Sequence, residues 1–258
     1  MSRVRPTPTV LARRGELIVE RDPRRPSGRL LRQGEMDASY VDLADPAHLE
    51  FDYMRWMRIV LRAARARRVI HIGGGGCSLP RALAAEDPNG RQEVCELDPD
   101  VLALAREHLG LRRVPGLHVR RAEGRAFVAG QGDRTWDAIA IDAFVAATVP
   151  RELITVQALA DMARVAPLTL INVIDNRAAH DVHTIAAGLA ASYPRVSTLG
   201  ARAGNTIVVG TEQGLDLDRI AARAAADPSP ARLLAPRELA HSLAGAVPLR
   251  DEGVGAGP

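Results

Sequence analysis

Hydrophobic and polar residues follow two different patterns along this chain, and the change between them separates an N-terminal region from a longer core. Residues 16–43 contain short apolar runs separated by a Pro, Ser and Gly turn, which predicts an N-terminal β-hairpin region. Residues 45–64 repeat apolar side chains every three or four positions and predict a helix. The first fourteen residues are rich in proline and arginine and are predicted to form a loose arm.

Beyond residue 66, short apolar runs alternate with helical patterns. The predicted strands span 67–73, 91–97, 117–123, 135–142 and 168–175, and the predicted helices span 78–87, 99–110, 150–165 and 180–193. Such alternation is typical of a parallel sheet covered by helices on both faces. Residues 195–212 read as two strands joined by a loop, so one of them must run antiparallel. The sequence therefore predicts an α/β, Rossmann-like fold on a seven-stranded, mostly parallel sheet with an antiparallel last strand.

The patterns give three predicted units. Residues 1–50 form the arm and the β-hairpin region, residues 51–214 form a nucleoside-binding domain, and residues 215–258 form two short amphipathic helices and a flexible tail. A length of 258 residues with 47% hydrophobic residues is enough for one sizeable α/β core.

Charge and composition exclude several classes of function. The net charge is +3, every basic residue other than histidine is an arginine, and only 3% of the residues are aromatic, so no nucleic-acid-binding surface is predicted. No apolar run is long enough for a membrane span, and none at the N-terminus resembles a signal sequence. Two cysteines give neither a disulfide framework nor metal-ligand spacing. These observations predict a cytoplasmic protein.

The segment VIHIGGGGCSLPRAL, residues 69–83, puts four adjacent glycines where the first core strand meets the next helix. In doubly wound sheets, ligands bind beside this turn, and glycine lets the backbone approach them closely. The dinucleotide fingerprint G-x-G-x-x-G is incomplete, because Ser78 stands at the third glycine and is instead the predicted N-cap of the helix. The phosphate-binding P-loop is excluded, because the chain contains no lysine.

An acidic residue follows the second core strand. Glu96 lies about twenty residues beyond the glycines, where a carboxylate can accept both hydroxyls of a ribose. Capping of the next helix explains Asp98, because Pro99 follows at the first helical position. The ligand is therefore expected to carry a ribose and to lack a diphosphate, which fits S-adenosylmethionine and its decarboxylated form. A nicotinamide-dependent oxidoreductase is an alternative that Ser78 and the closing hairpin disfavour.

The segments HLEFDY, VIHIGGGGCSLPRAL, VCELDPDVL, RRAEGRAF and WDAIAIDAF occur in this order and resemble the spermidine synthase family, the polyamine aminopropyltransferases of the class I methyltransferase fold. The resemblance covers residues 16–212 and implies that fold, self-association as a dimer, and a small-molecule acceptor. It implies S-adenosylmethionine or its decarboxylated form as cofactor, methylthioadenosine or S-adenosylhomocysteine as product, and no metal. The residues it implies are Gly73, Gly74, Gly75 and Gly76 at the sulfonium, Glu96 at the ribose, Glu123 with Gly124 at the adenine, Asp142 as the catalytic aspartate, and Glu50 and Tyr53 at the acceptor.

Departures from the family pattern bear on the acceptor. The family has an aspartate where this chain has Gly76, a second aspartate where it has Val145, and a glutamate where it has Arg55. Removing one partner of a buried charge pair costs on the order of 2–5 kcal/mol, so a dication such as putrescine is expected to bind poorly. The expectation is an alkyl transfer, of methyl or aminopropyl, to a neutral or anionic acceptor. A catalytically silent homologue that keeps the nucleoside pocket is the alternative.

Four further residues are weaker candidates. Phe144 is a candidate for stacking on the adenine or the acceptor, and Asp175 with Asn176 ends a strand near the acceptor site. Cys77 is a candidate reactive thiol at a helix N-terminus, with plain packing as the more ordinary role.

Overall fold

The structure is a computed structural model that describes residues 7–111, 114–145, 147–175 and 180–253. A small antiparallel sheet comes first, with its strands in the order β1-β2-β3-β4. Its strands are β1 (Thr9–Arg14), β2 (Leu17–Arg21), β3 (Gly28–Gln33) and β4 (Met36–Asp42). The predicted hairpin is thus part of a four-stranded sheet, and the prediction of a loose arm is wrong for residues 9–14, which form β1. Gly15, with φ of 55°, makes the turn that pairs Arg14 with Leu17. Most side chains of β1 are exposed, so its sequence lacks the alternation of apolar and polar residues that would predict a strand.

The large sheet has the predicted mixed topology. Its strands are β5 (Arg68–Ile72), β6 (Arg91–Glu96), β7 (Leu117–Arg121), β8 (Ala138–Ile141), β9 (Leu168–Asp175), β10 (Arg195–Gly200), β11 (Gly204–Thr211) and β12 (Arg232–Leu234). Their order is β12-β10-β11-β9-β8-β5-β6-β7, with β5 to β9 parallel and β11 antiparallel to both neighbours. The Rossmann-like arrangement is confirmed. One strand was not predicted, because β12 is only three residues long and its pairing with the edge strand β10 leaves no sequence pattern.

Helices cover both faces of this sheet. They are α1 (Asp52–Ala63), α2 (Ser78–Glu86), α3 (Pro99–His108), α4 (Gly124–Ala129), α5 (Val156–Val165), α6 (His180–Ala190), α7 (Leu217–Ala225) and α8 (Pro236–Ser242), with 3-10 turns at Arg151–Leu153 and Asp251–Gly253. Alternate residues of the central strands point to opposite faces, so that Ile70 and Ile139 pack towards α5 and α6 whereas Val69 and Ala140 pack towards α1. Burial on both faces explains why these strands read as continuous apolar runs.

The small sheet packs on α2 and α3 and forms one wall of a crevice at the carboxyl ends of the central strands. The Oγ of Ser78 donates to the carbonyl of Tyr40 at 2.6 Å and shares a hydrogen bond with the Oγ of Ser39 at 3.0 Å, and all three groups are buried. The prediction that Ser78 caps α2 is therefore wrong. Cys77 is the N-cap residue, with φ of 60° and no side-chain cap. Ser78 instead ties α2 to the small sheet.

Candidate functional site

A cavity of about 850 Å³ opens at the carboxyl ends of β5, β6, β8 and β9. The order of the strands reverses between β5 and β8, which is the switch point where ligands bind in open α/β sheets. Residues of β3, β4 and their connection close one side, and the start of α1 closes another. Ten of the twelve residues assigned to the site by sequence line this cavity. They are Tyr53, Gly73, Gly74, Gly75, Glu96, Glu123, Gly124, Asp142, Phe144 and Val145.

The first two glycines of the loop are required by close approach of the protein to itself. A Cβ on Gly73, whose φ is 83°, would lie 2.3 Å from the carbonyl oxygen of Asp142. A Cβ on Gly74 would lie 2.7 Å from Cγ1 of Val94. Both distances are far below any normal contact, so the loop can follow this path only with glycine at these positions.

The other two glycines meet the small sheet. A Cβ on Gly75, with φ of 48°, would lie 3.2 Å from Cβ of Ser39, and a Cβ on Gly76 would lie 2.7 Å from its Oγ. Gly76 is buried and does not line the cavity, where the resemblance implies a contact with the sulfonium. The run of glycines thus serves two contacts, one with β6 and β8 and one with the small sheet.

Glu96 holds the glycine loop in place. Its Oε2 accepts hydrogen bonds from the backbone N–H groups of Gly74 at 2.9 Å and Gly75 at 3.0 Å. Its Oε1 accepts from the N–H of Asp98 at 2.9 Å. A carboxylate oxygen accepts about two hydrogen bonds, so Oε2 is saturated and Oε1 keeps one free position towards the cavity. Glu96 can therefore fix the loop and still accept a ribose hydroxyl.

The same bonds decide which charge the loop can bind. The N–H of Gly73 donates to the carbonyl of Cys95 at 3.0 Å, and that of Cys77 donates to the carbonyl of Gly74 at 2.6 Å. With the N–H groups of Gly74 and Gly75 given to Glu96, four donors of this turn are already used. Anion sites at glycine-rich turns depend on such donors being free, so the N–H groups of Gly74 and Gly75 at the cavity wall are not available to a phosphate or carboxylate.

Glu123 caps a short helix at the far side of the cavity. Its oxygens accept from the N–H groups of Arg125 at 2.8 Å and Ala126 at 2.6 Å, which starts α4. Each oxygen keeps one acceptor position, because Glu123 is exposed and lines the cavity. A Cβ on Gly124 would lie 2.3 Å from Cγ2 of Ile72, so this helix start must be glycine to approach the sheet. Both residues line the cavity, and the adenine contact that the resemblance implies for them stays a prediction.

Asp142 lies at the end of β8 between two hydrogen-bond donors. Its Oδ2 accepts from the hydroxyl of Tyr53 at 3.0 Å and its Oδ1 accepts from Nδ2 of Asn172 at 2.9 Å. Burial raises the pKa of the Asp142 carboxyl above its ordinary value, and these two hydrogen bonds oppose the rise only in part. Burial and the nearby charge of Asp142 raise the pKa of Tyr53 well above 10, so Tyr53 remains a proton donor to Asp142.

Two asparagines of the cavity wall carry buried amide oxygens. Asn172, which bonds to Asp142, and Asn205 line the cavity, and the Oδ1 of each accepts no hydrogen bond from any part of the chain that the structure describes. Asn172, on β9, is only 1% exposed. The sequence analysis did not single out either residue. Asn172 could have been identified as a polar residue inside the otherwise apolar run LTLINVI. No sequence feature other than its place in the hairpin distinguishes Asn205.

The cavity wall carries one sign of charge. Its acidic residues are Asp37, Asp52, Glu96, Asp98, Asp100, Glu123, Asp142 and Glu152. No arginine or histidine is among the described residues that line it. Walls of one sign raise the local concentration of opposite charge, so this crevice attracts cations. Asp37 and Asp52 come from the small sheet and the start of α1, and the sequence analysis did not identify either.

Arg55 does not contribute positive charge to this cavity. Its Nε donates to both carboxylate oxygens of Asp227 at 3.1 and 3.0 Å, and its Nη1 donates to the carbonyls of Leu49 and Glu50. Arg55 therefore ties the start of α1 to the segment after α7. The expectation that Arg55 repels a cationic acceptor has no basis in this geometry.

Other candidates from the sequence lie at or beyond the rim. Glu50 is exposed, bonds to Nε2 of His48 at 2.9 Å, and lines a neighbouring cavity of about 910 Å³ instead of the main one. Val145 is 66% exposed at the mouth of the main cavity, with Phe144 beside it. Asn176 lies outside the described residues, as does the side chain of Asp175.

The thiol of Cys77 is fully buried in the contact between the small sheet and α3. Burial raises its pKa to about 12, so the thiolate required for reactivity does not form near neutral pH. Cys77 is a packing residue.

The described ranges contain neither a metal-binding cluster nor a membrane-spanning helix. They contain no group of three or more His, Cys, Asp or Glu side chains that could hold a metal ion. None of their helices combines the length and the apolar character that crossing a bilayer requires.

Comparisons with known proteins give a curated relative that matches over part of its length, and several structural neighbours. No family model matches the sequence. A polyamine aminopropyltransferase of Vibrio vulnificus is 29% identical over 119 residues, which are 45% of this chain and 40% of that protein. The chain thus matches less than half the length of this curated relative.

Among solved structures, a probable spermidine synthase from Corynebacterium glutamicum superimposes with a TM-score of 0.86 at 24% identity, over 98% of this chain and 99% of the other. A spermidine synthase in complex with the transition-state analogue AdoDATO gives 0.60 at 16% identity, over 84% and 77%. Human methyltransferase-like protein 13 in complex with SAH gives 0.55 at 19% identity, over 79% and 96%. Over part of its length the chain is therefore similar in sequence to a polyamine aminopropyltransferase, and it shares the α/β, Rossmann-like fold of these spermidine synthases and of methyltransferase-like protein 13.

Proposed function

We propose that this protein transfers the aminopropyl group of decarboxylated S-adenosylmethionine to an amine. The observation that carries the proposal is the cavity at the switch point of the sheet, which combines Glu96 and Glu123 for a nucleoside with the buried carboxylate of Asp142. The similarity to spermidine synthases supports the same reaction class. The complexes of structural neighbours with AdoDATO and with SAH support a nucleoside ligand of this type.

The charge of the cavity favours the decarboxylated cofactor over S-adenosylmethionine itself. S-adenosylmethionine carries a carboxylate that needs a cation or free N–H donors. The described lining has no basic residue, and Glu96 and neighbouring carbonyls already use four N–H groups of the glycine turn. The decarboxylated form carries only positive charges, on its sulfur and on its amine, and it suits an acidic wall.

The chemistry is an in-line displacement at the carbon next to the sulfonium. The amine nitrogen forms a bond to this carbon, the carbon–sulfur bond breaks, and the sulfur keeps the electron pair, so that methylthioadenosine leaves. The amine must lose a proton to react, and Asp142 is placed to accept it. Because burial raises the pKa of Asp142, this carboxylate is a stronger base than an exposed aspartate. Tyr53 orients it through the hydrogen bond to Oδ2.

The acceptor is proposed to enter as a cation. The sequence analysis favours a neutral or anionic acceptor because Val145 replaces an aspartate of the family pattern. The wall nevertheless carries Asp37 and Asp52, which the pattern does not reveal, and Arg55 is turned away to Asp227. An anionic acceptor would therefore face several carboxylates, of which Asp37 is paired with Arg32 at 3.4 Å.

Calorimetric titration with methylthioadenosine, decarboxylated S-adenosylmethionine and S-adenosylmethionine tests the cofactor. We expect the first two to bind and S-adenosylmethionine to bind at least tenfold more weakly, a difference of about 1.4 kcal/mol. Equal affinity for S-adenosylmethionine would contradict the charge argument, and no binding of any of the three would contradict the proposed function.

Turnover of decarboxylated S-adenosylmethionine with putrescine, cadaverine, spermidine or n-butylamine tests the reaction, with Asp142→Asn as the inactive control. Formation of methylthioadenosine with any of these amines supports aminopropyl transfer. Binding of the nucleoside without turnover of any amine would instead support a silent homologue.

A further inference from the structure

We propose that Asn172 and Asn205 are positioning residues that hold the N–H groups of the acceptor's reacting amine through their amide oxygens. This inference rests on the proposed amine transfer and assigns the residues that select the acceptor. Both residues line the cavity, and the amide oxygen of each is buried and has no hydrogen-bond partner among the residues that the structure describes. An unpaired buried polar atom costs about 1–3 kcal/mol, so a ligand that donates to both oxygens after a small side-chain adjustment is stabilised by removing this cost.

The orientation of Asn172 is fixed by its neighbour. Its Nδ2 donates to Oδ1 of Asp142 at 2.9 Å, so its own Oδ1 must point to the other side. The three groups Tyr53, Asp142 and Asn172 form one chain of hydrogen bonds that ends in this free acceptor. A donor bound to Asn172 is therefore held next to the carboxylate that takes its proton.

Sheet register brings Asn205 to the same place. β9 and β11 are antiparallel neighbours, with Asn205 opposite Ile174 and Ile207 opposite Asn172. Directly opposite residues share a face, so the two asparagines lie diagonally on one face of the sheet, about 7–8 Å apart along such a diagonal. One nitrogen can bond to both amide oxygens when these lie within about 6 Å of each other, and side chains that lean together from this residue spacing can reach that distance.

The kind of acceptor atom matters for the chemistry. A second carboxylate beside the reacting nitrogen, in addition to Asp142, would stabilise the protonated amine and oppose the transfer of its proton to Asp142. A neutral amide oxygen accepts an N–H without this charge effect. A primary amine keeps two N–H donors after it loses its proton, one for each oxygen, whereas an alcohol has only one donor. The pair therefore selects a primary amine over a hydroxyl compound.

Calorimetric titration with saturating methylthioadenosine tests this, with putrescine and 1,4-butanediol as matched ligands. We expect the wild type to bind putrescine at least tenfold more tightly than the diol. Asn205→Ala should weaken putrescine binding at least tenfold while the affinity for methylthioadenosine changes less than twofold. Asn89→Ala, which removes an exposed amide in the turn before β6, is the matched control and should change neither affinity.

The variant Asn205→Asp separates positioning from simple packing. It retains the shape and an acceptor oxygen, so putrescine should still bind, but its charge should shift the pH optimum of turnover upwards because the bound amine holds its proton more tightly. Each of four results would overturn the amide pair. Two concern the variants: unchanged putrescine affinity in Asn205→Ala and an unshifted pH profile in Asn205→Asp. Two concern the wild type: equal binding of putrescine and the diol, and no binding of putrescine. Loss of methylthioadenosine binding by the wild type would instead overturn the proposed function, and the amide pair with it.

Discussion

Glu96→Gln is the substitution for which the structure makes the most specific prediction. The carboxylate accepts three backbone N–H bonds, from Gly74, Gly75 and Asp98, at 2.9, 3.0 and 2.9 Å. A glutamine has one oxygen and one NH₂ group, so one orientation keeps the two glycine bonds and turns a donor towards the N–H of Asp98. The other orientation loses both glycine bonds. Either way, at least one N–H loses its acceptor and the surviving bonds lose their charge.

The magnitude follows from these bonds. A hydrogen bond to a charged group contributes about 1.5–3 kcal/mol, and charged bonds are about twice as strong as neutral ones. Because Glu96 is half-buried and water compensates in part, we expect the free energy of unfolding to fall by about 2–4 kcal/mol. Loss of the charged acceptor for a ribose hydroxyl should weaken methylthioadenosine binding by about 10- to 150-fold.

Urea unfolding and calorimetric titration measure the two effects separately. Glu35→Gln is the control, because Glu35 is fully exposed in the turn between β3 and β4 and should change neither quantity by more than the error of the measurement. If Glu96→Gln folds with wild-type stability and binds methylthioadenosine with wild-type affinity, then Glu96 neither holds the glycine loop nor meets the ribose.

Three further substitutions test single contacts. Asp142→Asn should reduce turnover by about 10²- to 10⁴-fold. Burial raises the folded-state pKa of Asp142 above 3.8, so its ionised carboxylate destabilises the fold. This destabilisation is absent below pH 3.8 and grows as the pH rises through the folded-state pKa. Asp142→Asn should therefore have a higher melting temperature than the wild type at pH 7, and the difference should shrink towards pH 4. Ser78→Ala should lower the free energy of unfolding by about 1–3 kcal/mol in urea titrations, since it leaves the carbonyl of Tyr40 unpaired; an unchanged midpoint would contradict the contact. Gly124→Ala should cost about 1–3 kcal/mol and weaken nucleoside binding, because its Cβ would lie 2.3 Å from Ile72; calorimetry on a variant that bound normally would refute this packing.

Local patterns predicted the core of the fold because they depend on neighbours in sequence. Strands buried on both faces read as apolar runs, and Asp98 with Pro99 marks a helix start through bonds two and three residues away. The same reasoning failed at Ser78, whose partners Ser39 and Tyr40 lie 39 and 38 residues away. A hydroxyl before a helix looks the same in sequence whether it caps the helix or ties it to another element.

The charge of the site could not be predicted for a similar reason. Motif positions identified Glu96 and Asp142, but Asp37 and Asp52 reach the cavity only through packing of the small sheet and α1. The effect of Arg55 depends on a partner, Asp227, that is 172 residues distant in sequence. The positions where this chain departs from the family pattern therefore predicted a site with less negative charge. In the folded protein, all described charged residues that line the cavity are acidic.

A glycine-rich turn after the first strand usually indicates an anion site, whereas the contacts of this turn favour a cationic ligand. The glycines are fixed by contacts with β6, β8 and the small sheet, and Glu96 uses the N–H groups of Gly74 and Gly75 that would otherwise bind an anion. The acceptor capacity left over, at Oε1 of Glu96 and at the oxygens of Asn172 and Asn205, requires hydrogen-bond donors from the ligand. A nucleoside with ribose hydroxyls, a sulfonium and amines supplies donors and positive charge throughout, and this is why the site favours transfer between two cationic substrates.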